Sequence, residues 1–176
     1  MRVTSEELAD RLQAKDPNLW GAPDTPELAN RLGWVDLPQT MAPLVADWKA
    51  VASAALADQT DDVVLLGMGG SSLAPRVFAS VLGIARGHPR LSVLDSTHPD
   101  ELRALAAAID PGRTIFLVSS KSGGTIETLS GFRYFWRATG GDGQRFIAIT
   151  DEGSSLHHLA GERGFRAAVL APSDVG

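Results

Sequence analysis

From Asp62 onward, apolar residues come in short runs separated by stretches where they recur every three or four positions. The runs are "VVLLG" (63–67), "LSVLD" (91–95), "TIFLV" (114–118), "RFIAIT" (145–150) and "FRAAVL" (165–170). Runs this short, nearly continuous and rich in Val, Ile and Leu, predict strands buried on both faces. The intervening patterns predict helices over 72–84, 99–109, 125–138 and 154–162, and Pro99 suits the first turn of the second. Strand and helix in alternation predict an α/β fold, a doubly wound five-stranded parallel sheet with helices on both faces.

The segment before it reads differently. Thr4 and Glu7 have capping-box spacing, and Leu8 and Leu12 continue one face, so a short helix is expected over 5–14. "DPNLWGAPDTPELANRLGWVDLPQ" is dense in Pro, Gly and Asp and punctuated by Trp20 and Trp34. It predicts an irregular arm whose tryptophans pack on a further surface, another subunit among the options. Leu44, Val45, Trp48, Val51, Ala52 and Ala55 then recur at helical spacing, predicting a helix over 41–57. The expected division is a helical N-terminal arm over 1–58 and a sheet domain over 59–176.

Composition narrows the function classes. At 176 residues and 44% hydrophobic, the chain has enough apolar surface for one substantial core. Its net charge of -5 comes from 16 basic and 21 acidic residues interspersed along the chain, with no clustered basic face for nucleic acid. Cysteine is absent, which removes disulfides and thiolate metal sites. No ligand-type pair has metal spacing, so neither a metal nor another cofactor is expected. With a polar N-terminus and strand-length apolar runs, the expectation is a cytoplasmic protein without a membrane partner.

In a doubly wound sheet, ligands bind beyond the carboxyl ends of the strands. The unusual residues collect there. "SSKSGGTIET" (119–128) follows the third strand. Gly123 and Gly124 let successive amides converge on the start of the next helix, where unpaired N–H groups favour an anion. Ser120, Ser122 and Thr125 add hydroxyls and Lys121 adds a charge, a set that a phosphate monoester satisfies together. A plain helix cap needs just one hydroxyl. The lysine precedes the glycines, so this is not a Walker loop.

The other loops are less decisive. In "GMGGSSLAP" (67–75) the third glycine comes too early for a dinucleotide fingerprint, and close approach to a ligand and a tight turn are both open readings. His98 in "LDSTHPDE" reads as a helix cap, and His157 and His158 as surface or packing residues. Glu127 stands in the first turn after the phosphate loop, where a carboxylate is favoured electrostatically and where it is also placed to meet a sugar hydroxyl.

These motifs resemble those of the phosphoglucose isomerases. "GMGGSSLAP" is similar to their G-I-G-G-S-x-L-G-P segment, and "SSKSGGTIET" to their S-K-[ST]-x-x-T-x-E-T loop. "ITDEGSSL" and "AKDPNLW" resemble two further segments of the family. The resemblance implies a sugar isomerase (SIS) domain with a flavodoxin-like sheet. It implies interconversion of glucose 6-phosphate and fructose 6-phosphate, with the phosphate on Ser120, Ser122 and Thr125 beside Lys121. Gly70 and Ser71 would lie against the sugar, with Glu127 near the reacting end as an auxiliary catalytic group. It also implies a homodimer or pairing with a second SIS domain.

The sequence departs from that pattern in three ways. Ala74 stands where the family has glycine, and Gly123 and Gly124 replace bulkier residues, which points either to a more mobile loop or to a short-form subfamily. The chain stops at "SDVG" (173–176), ahead of the arginine, glutamate base and histidine that the family's later segments supply. Aldose–ketose conversion needs a base and stabilisation of the enediolate, each contributing a factor of roughly 100 or more. This chain alone is therefore expected to bind sugar phosphates weakly and to isomerise poorly. Two other readings stay open, a non-enzymatic phosphosugar-binding regulatory module and a nucleotide-binding domain with Asp95 on the ribose.

Overall fold

The structure, a computed structural model, describes residues 4–22, 24–28, 30–57, 59–172 and 174–175. It divides into two compact units, Met1–Asp47 with Pro172–Gly176, and Trp48–Ala171. The division comes after Asp47, inside a helix whose Val51 and Ala55 pack on the sheet, whereas the sequence put the boundary at 58.

In the first unit, α1 (Ser5–Gln13) opens with the expected capping box. The Glu7 amide donates to Thr4 Oγ1 at 3.2 Å, and the Thr4 amide donates to Glu7 Oε2 at 2.8 Å. The arm is less irregular than its composition suggests, with 3-10 turns at Pro17–Leu19 and Gly33–Asp36 and a short α2 (Leu37–Met41). The Gly33 amide donates to the Asp174 carbonyl at 2.9 Å, and Leu32 pairs with Val175 in an antiparallel bridge. Trp20 and Trp34, 57% and 45% exposed, line a hollow of about 370 Å³.

The helix expected over 41–57 begins later, as α3 (Val45–Ala57), after a 3-10 turn at Ala42–Leu44. Pro43 lies in that turn and lacks the N–H that a continuous helix needs there.

The second unit follows the predicted alternation closely: β1 (Asp62–Gly67), α4 (Gly70–Leu82), β2 (Arg90–Leu94), α5 (Pro99–Ala108), β3 (Thr114–Ser119), α6 (Ile126–Ala138), β4 (Phe146–Asp151), α7 (Ser155–Glu162) and β5 (Ala167–Ala171). All four pairings are parallel and the order is β2-β1-β3-β4-β5. Right-handed crossovers then place α4 on one face and α5, α6 and α7 on the other.

The α5–α7 face holds the main core. Phe116 and Phe146 of the sheet and Phe135 of α6 are fully buried, the Phe116 and Phe135 rings stacked with centroids 4.6 Å apart. Burying each ring stabilises the fold by about 1.5–3 kcal/mol. α6 presents Thr128, Gly131, Phe132 and Phe135 to this core, the helical spacing that the sequence predicted.

The opposite face is thinly covered. Val51 and Ala55 of α3 pack on Ile115 and Ile147, leaving an apolar hollow of about 410 Å³ lined also by Trp48, Leu117 and Val169. α4 exposes Leu73, Val77, Phe78, Val81 and Leu82, the last two 73% and 78% exposed.

Candidate functional site

The strand order reverses direction between β1 and β3, so the crevice beyond their carboxyl ends is where this topology binds ligands. Gly67 ends β1 in register with Ser119, which ends β3. A Cβ on Gly67 would lie 3.2 Å from the Ser119 carbonyl oxygen and 3.1 Å from Ser71 Cβ, so the two loops emerge side by side because residue 67 has no side chain. Gly69 turns the chain at φ +54°, and Gly70 and Ser71 form the first turn of α4. The hydroxyl of buried Ser72 donates to the Gly69 carbonyl at 3.0 Å and holds that turn.

After β3 the chain forms a tight loop. The buried Ser120 hydroxyl lies 2.9 Å from Thr125 Oγ1, closing the loop across its neck. The Gly123 amide donates to the Ser120 carbonyl at 3.2 Å, and the Gly124 amide to Ser122 Oγ at 3.3 Å. Thr125 is the N-cap of α6, but its side chain does not accept from the first-turn amides. Those amides, with the dipole behind them, follow directly on the loop that carries the Ser120, Ser122 and Thr125 hydroxyls. Glu127 is half-buried in the same turn.

Gly123 corrects the expectation of a more mobile loop. It is buried at φ +73°, and a Cβ there would overlap the Leu156 amide nitrogen at the start of α7. Its glycine is a packing requirement. Gly124 meets only Ser122 Oγ at 3.9 Å and has room for a side chain.

The motif reading missed the residues that hold this loop. Thr150, 1% exposed near the end of β4, donates to the Ser120 carbonyl at 2.7 Å, with the Lys121 carbonyl 3.2 Å away. Ser154 lies 2.7 Å from Thr150 Oγ1 and accepts the His157 amide at 3.0 Å, capping α7. The Ser120 amide donates to the Ile149 carbonyl at 3.0 Å and the Asp151 amide to the Lys121 carbonyl at 3.2 Å, extending β3–β4 pairing past the strand end. The signal was present in "TDEGSS", whose polar run begins inside a strand where a hydroxyl must find a partner. Lys121 Nζ lies 3.8 Å from Asp151 Oδ2, so its charge is directed toward β4.

The remaining sequence candidates take structural places. His98 caps α5, Nδ1 accepting the Asp100 amide at 3.3 Å, and His157 Nδ1 accepts the Gly153 amide at 3.0 Å. Asp95 is engaged by Arg76 of α4 at 2.7 Å, which occupies the carboxylate that a nucleotide-binding reading assigns to a ribose. Among the described residues no group of three His, Cys, Asp or Glu could hold a metal, and no helix is long and apolar enough to cross a membrane.

Fold and comparison together define the class, a sugar isomerase-type α/β domain. The structure resembles that of tagatose-6-phosphate ketose/aldose isomerase from Escherichia coli (TM-score 0.51, 19% identity, 77% of this chain and 36% of that one), a likeness of fold. The family profile "Phosphoglucose isomerase" matches residues 38–154. A glucose-6-phosphate isomerase of Thermus thermophilus is 31% identical over 157 residues, 85% of this chain and 36% of that protein. A crystal structure of a hypothetical protein from the same organism superposes with a TM-score of 0.73 at 31% identity, covering 97% of this chain and 39% of that one. The chain belongs to the phosphoglucose isomerase family, and it spans little more than a third of the length of these relatives.

Proposed function

We propose that this chain carries the phosphate-holding part of an aldose–ketose isomerase site that takes glucose 6-phosphate and fructose 6-phosphate. The observation that carries the reading is the pairing of Ser120 with Thr125, which leaves the first-turn amides of α6 without a side-chain cap beside three hydroxyls. A phosphate there would accept from those amides and from Ser122 and Thr125. Gly70 and Ser71, brought alongside by the Gly67–Ser119 register, would lie against the sugar.

Isomerisation moves a proton between the two carbons that exchange the carbonyl, and it needs a base and an electrophilic partner for the enediolate. Glu127 is this chain's auxiliary group at the reacting end. Further groups would come from a second copy or a second sugar isomerase domain. The exposed apolar residues of α4, whose first turn forms part of the crevice, support such a covering partner. The setting that goes with this reading is a cytoplasmic enzyme of glycolysis.

Calorimetric titration with fructose 6-phosphate, using free fructose as the control, tests this. Binding of the phosphate ester alone is expected. Equal binding of both sugars, or binding of the ester unchanged by Ser122→Ala with Thr125→Ala, would sink the reading.

A further inference from the structure

α6 and α7 enclose a groove of about 560 Å³ away from the mouth of the crevice, and a neighbouring depression of about 630 Å³ on α6 shares Arg133 and Arg137 with it. Leu129, Phe132 and Leu159 contribute apolar surface. Arg133, Arg137, Arg163 and His158 line it against one carboxylate, Glu162, among the described residues. This concentration of positive charge stands on a chain whose net charge is -5.

Like Arg86, these three arginines hold no carboxylate among the described residues, but unlike it they share one groove. Elsewhere in the same unit Arg76, Arg90, Arg103, Arg113 and Arg145 each hold an aspartate. Among the described residues Arg133, Arg137 and Arg163 form no ion pair, although Glu162 lines the same groove. On an acidic chain, three guanidinium groups share one concavity with a single carboxylate. Arg163 is held in place, its Cζ 5.3 Å from the centre of the Trp136 ring. Arg133 and Arg137 stand one helical turn apart, so both can reach one bound group.

We propose that this groove is a second anion site, taking a compact polyanion with at least two phosphate or carboxylate groups. The guanidinium fork matches either group in a bidentate contact, and a groove of this size accepts a small metabolite. The site touches the candidate phosphate loop at one point, Gly123, which lines its end together with Ser155. It stands independently of the proposed function, because none of its cationic groups belongs to the crevice.

Titration of the chain with inorganic pyrophosphate and, separately, with tricarballylate tests it and distinguishes phosphate from carboxylate ligands. The expected result is saturable binding of at least one, weakened about tenfold for each arginine removed in Arg133→Ala and Arg137→Ala. Binding should persist in Ser122→Ala with Thr125→Ala, where the crevice hydroxyls are gone. Arg137→Lys should fall between wild type and Arg137→Ala, since it keeps the charge and loses the fork. The Trp136 indole resonance should shift on binding, a readout that does not rely on variants folding.

Failure of both anions to bind at millimolar concentration overturns the proposal. So does pyrophosphate binding that survives both arginine substitutions made on the Ser122→Ala, Thr125→Ala background, or that vanishes with the crevice hydroxyls. If pyrophosphate binds through Arg133 and Arg137 while fructose 6-phosphate does not bind at all, the proposed function fails and this site stands.

Discussion

Thr125 turns its hydroxyl toward Ser120, 2.9 Å away, and not onto the amides of the helix that it caps. A threonine at an N-cap ordinarily stabilises its helix by about 1 kcal/mol through that bond. Here the bond is given up, and a loop closure beside free amides takes its place.

Thr125→Val should therefore leave α6 nearly as stable as before while weakening fructose 6-phosphate binding about tenfold. Thermal unfolding and titration of the same sample check both halves. The same variant made with Ser120→Ala removes the cost of orphaning the buried Ser120 hydroxyl. A large drop in melting temperature that remains relative to Ser120→Ala alone would mean that Thr125 does cap α6 and that the amides are not open to a ligand.

Thr150→Val removes the donor that holds the Ser120 carbonyl at 2.7 Å and keeps the side chain's shape. The carbonyl keeps the Gly123 amide, so the loss of this one buried bond should cost about 0.5–1.5 kcal/mol in urea unfolding. Because the carbonyl it holds belongs to the proposed phosphate loop, ligand affinity should fall too, although Thr150 itself is not among the proposed ligand contacts. Unchanged affinity would show that the loop keeps its form without this latch.

Gly123 and Gly124 are neighbours with different obligations. Gly123→Ala forces a side chain into a positive φ and against the Leu156 amide, and should destabilise by several kcal/mol or prevent folding. Gly124→Ala meets open space and should sit near wild type in the same melt. Equal effects would contradict the packing described for this loop.

At the other end of the sheet, Arg113 holds the Asp61 carboxyl below its ordinary pKa, chiefly through their hydrogen bond. A lowered carboxylate pKa adds stability that is present above the unfolded value and is lost as pH falls through the folded one. The melting-temperature difference between wild type and Arg113→Ala should thus be constant near neutrality and narrow below about pH 4. A difference that grew with acid would contradict the assignment.

Much of this protein is legible in order. The runs at 63–67, 91–95 and 114–118 lie within one or two residues of β1, β2 and β3, and α6 and α7 fall where periodicity placed them. These elements are buried on both faces or along one stripe, so local pattern and tertiary environment demand the same residues. The arm was harder to read. Its turns around Pro17, Pro38 and Pro43 follow from missing amide donors, and apolar periodicity does not register those.

The sequence by itself determined the alternation of strand and helix and the collection of glycine and hydroxyl residues at strand ends, because both are written in consecutive residues. Tertiary structure alone decided what those residues meet. That β1 lies beside β3 brings Ser71 next to Ser119 across Gly67, 52 positions from its strand partner. It set Thr150 under Ser120, bound Lys121 toward Asp151, and gathered Arg133, Arg137 and Arg163 from two helices into one groove. Each of these is a contact between residues far apart in the chain, and such contacts exist only once the crossovers have fixed the order of the strands.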